Sequence, residues 1–352
     1  MHFSAVTPLH PVLRALAVLL SFMLIATPAM AVETLRVLAW PGYADQDLVR
    51  EFERRHDVRV EVTLVGTDDA LWQKLSANKG GNFDVFAANT AELKRYIDQG
   101  ISVPLNLENI PNTRQQLPRF RNLQSIPGIS RNGSVYAIPY TYSEMGLIYN
   151  RKLVPETPLS LNAMWDPRYR GRVLAYDGST HNFTLAALLV GSKDPFRLDE
   201  GDFKRTVGKL VELRQNVLTF YSQPEEVVEL FHENRVALVF ANFGNQQVKQ
   251  LQHAGADIGY VIPREGALAW LDCWAVSRGV NNKMLAEAWI NYTLEKRFSA
   301  ALTARQGLAN TVQADASEQP DSRIIWLEPV EDALRRSALW SRIVSGDRLG
   351  KF

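Results

Sequence analysis

The sequence predicts an α/β protein of two units, each a mainly parallel sheet flanked by helices. From Thr34 to Gln99, and again from about Gly146 to Pro263, short apolar runs of strand character alternate with segments whose apolar residues recur at helical spacing. Strands that alternate with helices pair in parallel. Size agrees: 352 residues, 46% of them hydrophobic and 22% charged, suffice for two cores of ordinary globular composition.

The first 31 residues read as a secretory signal and not as part of the fold. Arg14 is their only Lys or Arg, Ala15 to Thr27 is almost wholly apolar, and Ala29-Met30-Ala31 is a small-residue cleavage site. The apolar run is shorter than the roughly 20 residues a spanning helix needs, so removal and export are expected. Leu35 to Trp40 then reads as a strand, Asp45 to Arg55 as a helix with Leu48, Val49 and Phe52 on one face, and Val58 to Leu64 as an alternating strand. Asp68 to Ala77 is a helix with Leu71 and Leu75 inward, Phe83 to Ala87 a strand, and Ala91 to Gln99 a helix. A stretch rich in Pro, Asn and Arg from Ser102 to Asn132 wraps this unit, and Ser134 to Tyr142 is an extended strand leading away from it.

A first crossing between the units is expected near Tyr142 and Ser143. In the second unit, strands fall near Leu147 to Tyr149, Val173 to Tyr176, Val236 to Phe240 and Gly259 to Val261. Its helices fall near Asn182 to Leu189, Glu200 to Gln215 and Pro224 to Glu233. Trp270 to Val276 is the return strand, and the helix from Lys283 to Leu294 packs back on the first unit ahead of a helical tail. The expected division is 1–31 for the signal, 32–142 with 271–312 for the first lobe, and 143–270 with 313–352 for the second.

Loss of Arg14 brings the 39 Lys and Arg level with the 38 Asp and Glu, so the mature chain is formally neutral. Nothing steers it to nucleic acid or to an anionic membrane. Cys273 is the only cysteine, which rules out an intramolecular disulfide, and its distance from the cleavage point rules out lipid attachment at a new N-terminal cysteine. A buried, inert thiol is expected. His181 has no partner at metal spacing, and no H-E-x-x-H, cysteine cluster or EF-hand loop exists, so neither metal nor cofactor is expected.

In parallel sheets ligands bind beyond the carboxyl ends of the strands, here Trp40 to Tyr43, Gly66 to Asp69 and Asn89-Thr90. A strand sends alternate side chains to one face, so Trp270 and Asp272 share a side: an aromatic ring beside a carboxylate, which suits an organic cation. Other readings stay open. Trp40 could be core, Tyr43 could cover a helix start, and Asp68 and Asp69 read as first-turn helix acids. Asp177 could be a turn or N-cap residue, and Ser179 or Thr180 could cap the helix after it.

Together, several motifs resemble the periplasmic substrate-binding proteins of ABC importers, and within them the spermidine and putrescine binders. They are Leu38-Ala-Trp40-Pro-Gly-Tyr43, the Lys74-Leu75 helix before Phe83-Asp84-Val85, Tyr136-Ala-Ile-Pro139-Tyr140 leading to Leu147-Ile-Tyr149-Asn150, and Trp165-Asp-Pro-Arg-Tyr-Arg-Gly171-Arg. The helix from Glu225 to Phe231 before Ala237-Leu238, and Trp270-Leu-Asp272, complete the set. The resemblance implies the type II periplasmic-binding-protein fold, two lobes joined by two crossing strands with ligand between them. It also implies a monomer that binds a small amine and docks on an inner-membrane ABC permease, without catalysis. Trp40, Tyr43, Trp270 and Asp272 match the aromatic and acidic positions of polyamine binders, and Asp177 matches a carboxylate of the second lobe. Gly42 departs from an acidic position, Ala91 and Ala241 from aromatic ones, and Leu308 from a tyrosine.

Glu144 stands just past the expected crossing, where it could offer a second carboxylate or be a hinge-surface charge. Asn89-Thr90 and Ser179-Thr180 precede helix starts, whose free N–H groups favour an anion. A short compound with one ammonium near Trp270 and Asp272 is therefore expected over spermidine, an ω-amino acid first and a diamine such as putrescine next. A partner role for a chemoreceptor or sensor fits the same features. An exported hydrolase using Glu144 and Asp272 as paired carboxylates lacks support, since there is no G-x-S-x-G elbow and no credible cysteine nucleophile.

Overall fold

The computed structural model describes residues 32–314 and 323–347, together with His2. The signal-peptide expectation for 1–31 lies, but for His2, outside them. β1 (Thr34–Ala39) leads into α1 (Gln46–His56), which buries Leu48, Val49 and Phe52 on one face and ends where Asp57 takes a left-handed φ of 53°. β2 (Arg59–Leu64) and α2 (Asp68–Ser76) follow, the helix opened by Thr67 Oγ1 accepting from the Ala70 N–H at 3.1 Å. β3 (Val85–Asn89) is buried throughout, and its last residue caps α3 (Thr90–Asp98). After a loop with a short ribbon at 130–135, β4 (Ala137–Met145) completes this stretch.

The second lobe begins one residue later. β5 (Leu147–Asn150), β6 (Val173–Tyr176), α4 (Ser179–Leu189), α5 (Glu200–Asn216) and β7 (Val217–Tyr221) come first. α6 (Pro224–Glu233), β8 (Leu238–Phe240), α7 (Asn245–His253) and β9 (Ile258–Val261) follow, and the sheet order is β9-β5-β8-β6-β7. β10 (Ala267–Val276) returns to the first lobe, ahead of α8 (Lys283–Thr293), α9 (Lys296–Gln306) and β11 (Ala309–Asn310). The first sheet runs β11-β4-β10-β3-β1-β2, with β12 (Ile324–Trp326) also on β10, and α10 (Ala333–Ser345) packs against α4 and α5.

Pairing is parallel where strand and helix alternate, at β1 with β2 and β3 and at β6 with β7 and β8. β4 and β10, which lead across between the lobes, are antiparallel to each other, and β10 is antiparallel to β3, so both sheets are mixed. The chain changes sheet at Gly146, beyond Tyr142 and Ser143 where a crossing is expected, and β10 begins at Ala267, because β4 and β10 keep a common ladder from Met145 and Leu268 inward. At Gly146 the chain must pass close to a ring: a Cβ there would lie 2.6 Å from Tyr260, whose hydroxyl accepts from the Gly146 N–H and donates to the Glu144 carbonyl, both at 3.0 Å.

Four elements lie outside the expected set, among them the strands β11 and β12 in the expected helical tail. β7 follows α5 without a break, and α7 carries only Val248 and Leu251 as apolar anchors in a polar sequence, which hides its periodicity.

The first lobe's core gathers rings from α1, β10, α8 and α9: Phe52 and Trp274 stand edge-on to Trp289 at 5.1 and 6.1 Å, and Phe298 at 6.3 Å. Asp84 pins the start of β3. It accepts from Arg36 Nε and Nη2 at 2.9 and 2.8 Å and from the Arg36 and Asn281 backbone N–H groups at 2.7 and 2.9 Å. Cys273 is buried, and burial pushes its thiol well above the ordinary range, as an inert thiol requires.

Candidate functional site

A narrow cavity lies between the sheets at the carboxyl ends of their strands. The first lobe contributes Trp40 and Tyr43 after β1, Asp68 at the start of α2, Asn89 at the end of β3, and Trp270 and Asp272 from β10. The second contributes Tyr176 at the end of β6, His181 on α4, Asn242 and Phe243 after β8, and Gln246 on α7. Among the described residues no Lys or Arg lines it.

The indoles are held by their N–H groups, Trp40 on the Ala87 carbonyl at 3.1 Å and Trp270 on the Asn242 carbonyl at 2.9 Å. The second of these bonds spans the cleft. So do Tyr176 Oη to the Gly66 carbonyl at 2.8 Å, Gln246 Nε2 to the Pro41 carbonyl at 3.2 Å and Thr180 Oγ1 to Glu92 Oε1 at 3.2 Å. These bonds hold the two lobes together beside the cavity.

Asp272, 5% exposed, accepts from the Tyr43 hydroxyl at 2.6 Å. Burial raises its carboxyl to about 8, opposed by the Tyr43 hydrogen bond and reinforced by the charge of Asp68. The ladder on β4 is interrupted here: Asp272 pairs with Thr141 and Cys273 with Pro139, leaving Tyr140 without a register partner, a bulge at the edge of the site. Asp68 is raised to about 7 by burial, against the pull of Arg95, and accepts from Asn89 Nδ2 at 3.0 Å. Glu92, just behind, is likewise raised to about 7 by burial. Burial also lowers His181 to about 4, so its ring is neutral at physiological pH. Both ring nitrogens lack a hydrogen-bond partner, as does Asn242 Oδ1. Asp68 Oδ2 stands 3.6 Å from His181 Nδ1, too far for a hydrogen bond.

Five of the seven residues singled out from the sequence line this cavity: Trp40, Tyr43, Asn89, Trp270 and Asp272. Asp177 and Glu144 do not. Asp177 accepts from Trp340 Nε1 of α10 at 2.7 Å, and Glu144 stands where the chain changes sheet, with Asn245 Nδ2 at 3.5 Å. The helix starts divide as well. Asn89 spends its side-chain oxygen on the Glu92 N–H of α3 at 3.1 Å, whereas α4 has no side-chain cap. The departures at Gly42, Ala91, Ala241 and Leu308 also stand outside the cavity wall. Gly42 has a left-handed φ of 83°, and the Gln306 side chain fills the space a Cβ would need, at 2.5 Å.

Asp68, Tyr176, His181, Asn242, Phe243 and Gln246 were missed as site residues. The segment Gly66 to Asp69 follows a strand end, which is the signal that could have raised Asp68 above a helix-start acid. Among the described residues no cluster of His, Cys, Asp or Glu could hold a metal ion, and no helix is long and apolar enough to cross a membrane.

The sequence profile of the bacterial extracellular solute-binding proteins matches residues 47–323. The chain is 24% identical over 324 residues to spermidine/putrescine-binding periplasmic protein 1 of Haemophilus influenzae, covering 87% of each chain. It is also 24% identical to the putrescine-binding periplasmic protein PotF of Escherichia coli, over 92% of this chain and 94% of that one. The TpPotD lipoprotein of Treponema pallidum has a similar fold, with a TM-score of 0.74 at 18% identity over 88% of this chain and 99% of the other.

Proposed function

Because the chain belongs to the bacterial extracellular solute-binding proteins, a family of binders and not of enzymes, we propose that it captures a small amine in the periplasm and delivers it, as a monomer, to an ABC permease of the inner membrane. The observation that carries this reading is Asp272: a carboxyl buried beside Trp270, in a cavity that Trp40 also lines and that, among the described residues, no Lys or Arg lines. An ammonium placed there gains the ring faces and the countercharge together. Names that the relatives carry, for spermidine and putrescine binding, agree with a cationic solute.

Size favours a short solute over spermidine. A long polycation needs an acid or a ring at every ammonium, since an enclosed unpaired charge costs several kcal/mol. Among the described residues only Asp68 and Asp272 bring acids to the cavity wall; neither Glu144 nor Asp177 supplies a third, and Gly42, Ala91, Ala241 and Leu308 add no ring or acid. Two classes of short solute fit the Asp272 end: an ω-amino acid and a diamine.

The test is a competition titration of purified, ligand-stripped protein, preceded by a thermal-shift screen of amines and ω-amino acids. A ligand at about 100 times its Kd stabilises by roughly 2.7 kcal/mol, which is readily seen. Putrescine or a short ω-amino acid should displace spermidine. Submicromolar spermidine binding with both short classes failing would overturn the size preference, and failure of every amine would overturn the reading itself.

A further inference from the structure

Three hydrogen-bond acceptors of the cavity are left over once the Asp272 end is accounted for. Asn89 satisfies only Oδ1 of Asp68, and Oδ2 has His181 at 3.6 Å. His181, 3% exposed, has no partner on either ring nitrogen, and a neutral imidazole always keeps one nitrogen as an acceptor. Asn242 Oδ1 is likewise buried and unpartnered. An orphaned buried acceptor costs free energy unless something in the functional state satisfies it. All three residues line the same cavity, and an ammonium brings three N–H donors.

We infer that Asp68, oriented by Asn89 and joined by His181 and Asn242, forms a second cation subsite that selects a solute with a second ammonium over one ending in a carboxylate. This rests on the reading of the cavity as an amine site. A ligand carboxylate would meet Asp68 and Asp272 with no Lys or Arg on the cavity wall among the described residues, Arg95 standing behind Asp68 on its backbone carbonyl, and Asn89 has already used its capping oxygen within α3. The subsite is divided between lobes, Asp68 and Asn89 on the first, His181 and Asn242 on the second, so it is complete only when the lobes are together. It therefore couples selection of the solute to closure.

Isothermal titration of the full mature chain with three four-carbon probes tests this: putrescine, n-butylamine and 4-aminobutyrate. In the unaltered protein putrescine should bind roughly 30-fold or more tightly than butylamine, and 4-aminobutyrate should be weakest. Asp68→Asn keeps the shape and the Asn89 contact, and it should collapse the putrescine-to-butylamine ratio toward unity. His181→Leu should reduce the same ratio by roughly tenfold through loss of one acceptor. Melting curves of both variants establish that they are folded. A ratio that survives Asp68→Asn, or tighter binding of 4-aminobutyrate than of putrescine, overturns the second subsite. When butylamine still binds and depends on Asp272, that failure is confined to the subsite; when no probe binds the unaltered protein, the amine reading falls with it.

Discussion

Asp272→Asn isolates the charge at the centre of the site. The replacement is nearly isosteric, and the Tyr43 hydroxyl, which donates to Asp272 at 2.6 Å, can donate to the amide oxygen instead. What disappears is the countercharge. A unit charge about 4 Å from an ammonium contributes roughly 4 kcal/mol at the effective dielectric of a partly solvated protein site. Truncating one partner of an enclosed, hydrogen-bonded charge pair costs about 2 to 5 kcal/mol in comparable interfaces. Amine affinity should therefore fall by a factor between tens and thousands. The folded protein should not suffer. Its carboxyl is held up near 8 by burial, so an uncharged amide is at least as comfortable in the ligand-free closed form. The discriminating pair of measurements is calorimetric affinity for the amine and the melting temperature without it, at pH 8. Lost binding with an equal or higher melting temperature is expected. Unchanged affinity would falsify the assignment of Asp272 as the cation's partner.

The acids of the site imply a pH dependence with a definite sign. Asp272, Asp68 and Glu92 bind protons more tightly folded and closed than unfolded, so their contribution to stability is complete below about pH 4 and is lost as pH rises through about 7 to 8. His181, lowered to about 4, works the other way between about 4 and 6.5, so the clean window is pH 6.5 to 8.5. There the ligand-free melting temperature should decline and saturating amine should flatten the decline; a ligand-free curve that rises through this window contradicts the burial of these acids. Tyr176→Phe removes a hydroxyl that bonds the opposite lobe at 2.8 Å and should weaken binding by about 1 kcal/mol, with a matching rise in dissociation rate read by stopped flow. Solution scattering should show a smaller radius of gyration with ligand, and an identical profile at verified saturation counts against closure. Asp84→Ala strips four donors of their acceptor and should destabilise the first lobe by about 3 kcal/mol in urea unfolding, whereas a loss under about 0.5 kcal/mol would mean that solvent replaces those bonds.

Much of the fold was legible in the sequence because local chemistry sets it. Apolar spacing in Asp45 to Arg55 and the buried run around Val85 need no tertiary context to be read, and the period of two along β10 places Trp270 and Asp272 on one side of any sheet that contains them. Where a segment lacks that local signature, reading it fails. α7 has two apolar anchors, and β7 continues directly from a helix, so neither announced itself.

The site was legible only in half. Trp40, Tyr43, Asn89, Trp270 and Asp272 stand at strand ends or on a strand face, where topology alone predicts convergence. Asp68 and Asp177 show what topology does not decide. Both are acids near the start of a helix that follows a strand. Asp177 meets the Trp340 indole brought in by α10, from 163 residues further along the chain, while Asp68 meets Asn89 and the unpartnered ring of His181 inside the cavity. Periodicity reports which way a side chain points from its own element. Whether a carboxylate there caps a helix, holds a tryptophan or waits for a cation depends on which distant groups fold against it and on how far they exclude water, and only the tertiary structure sets that.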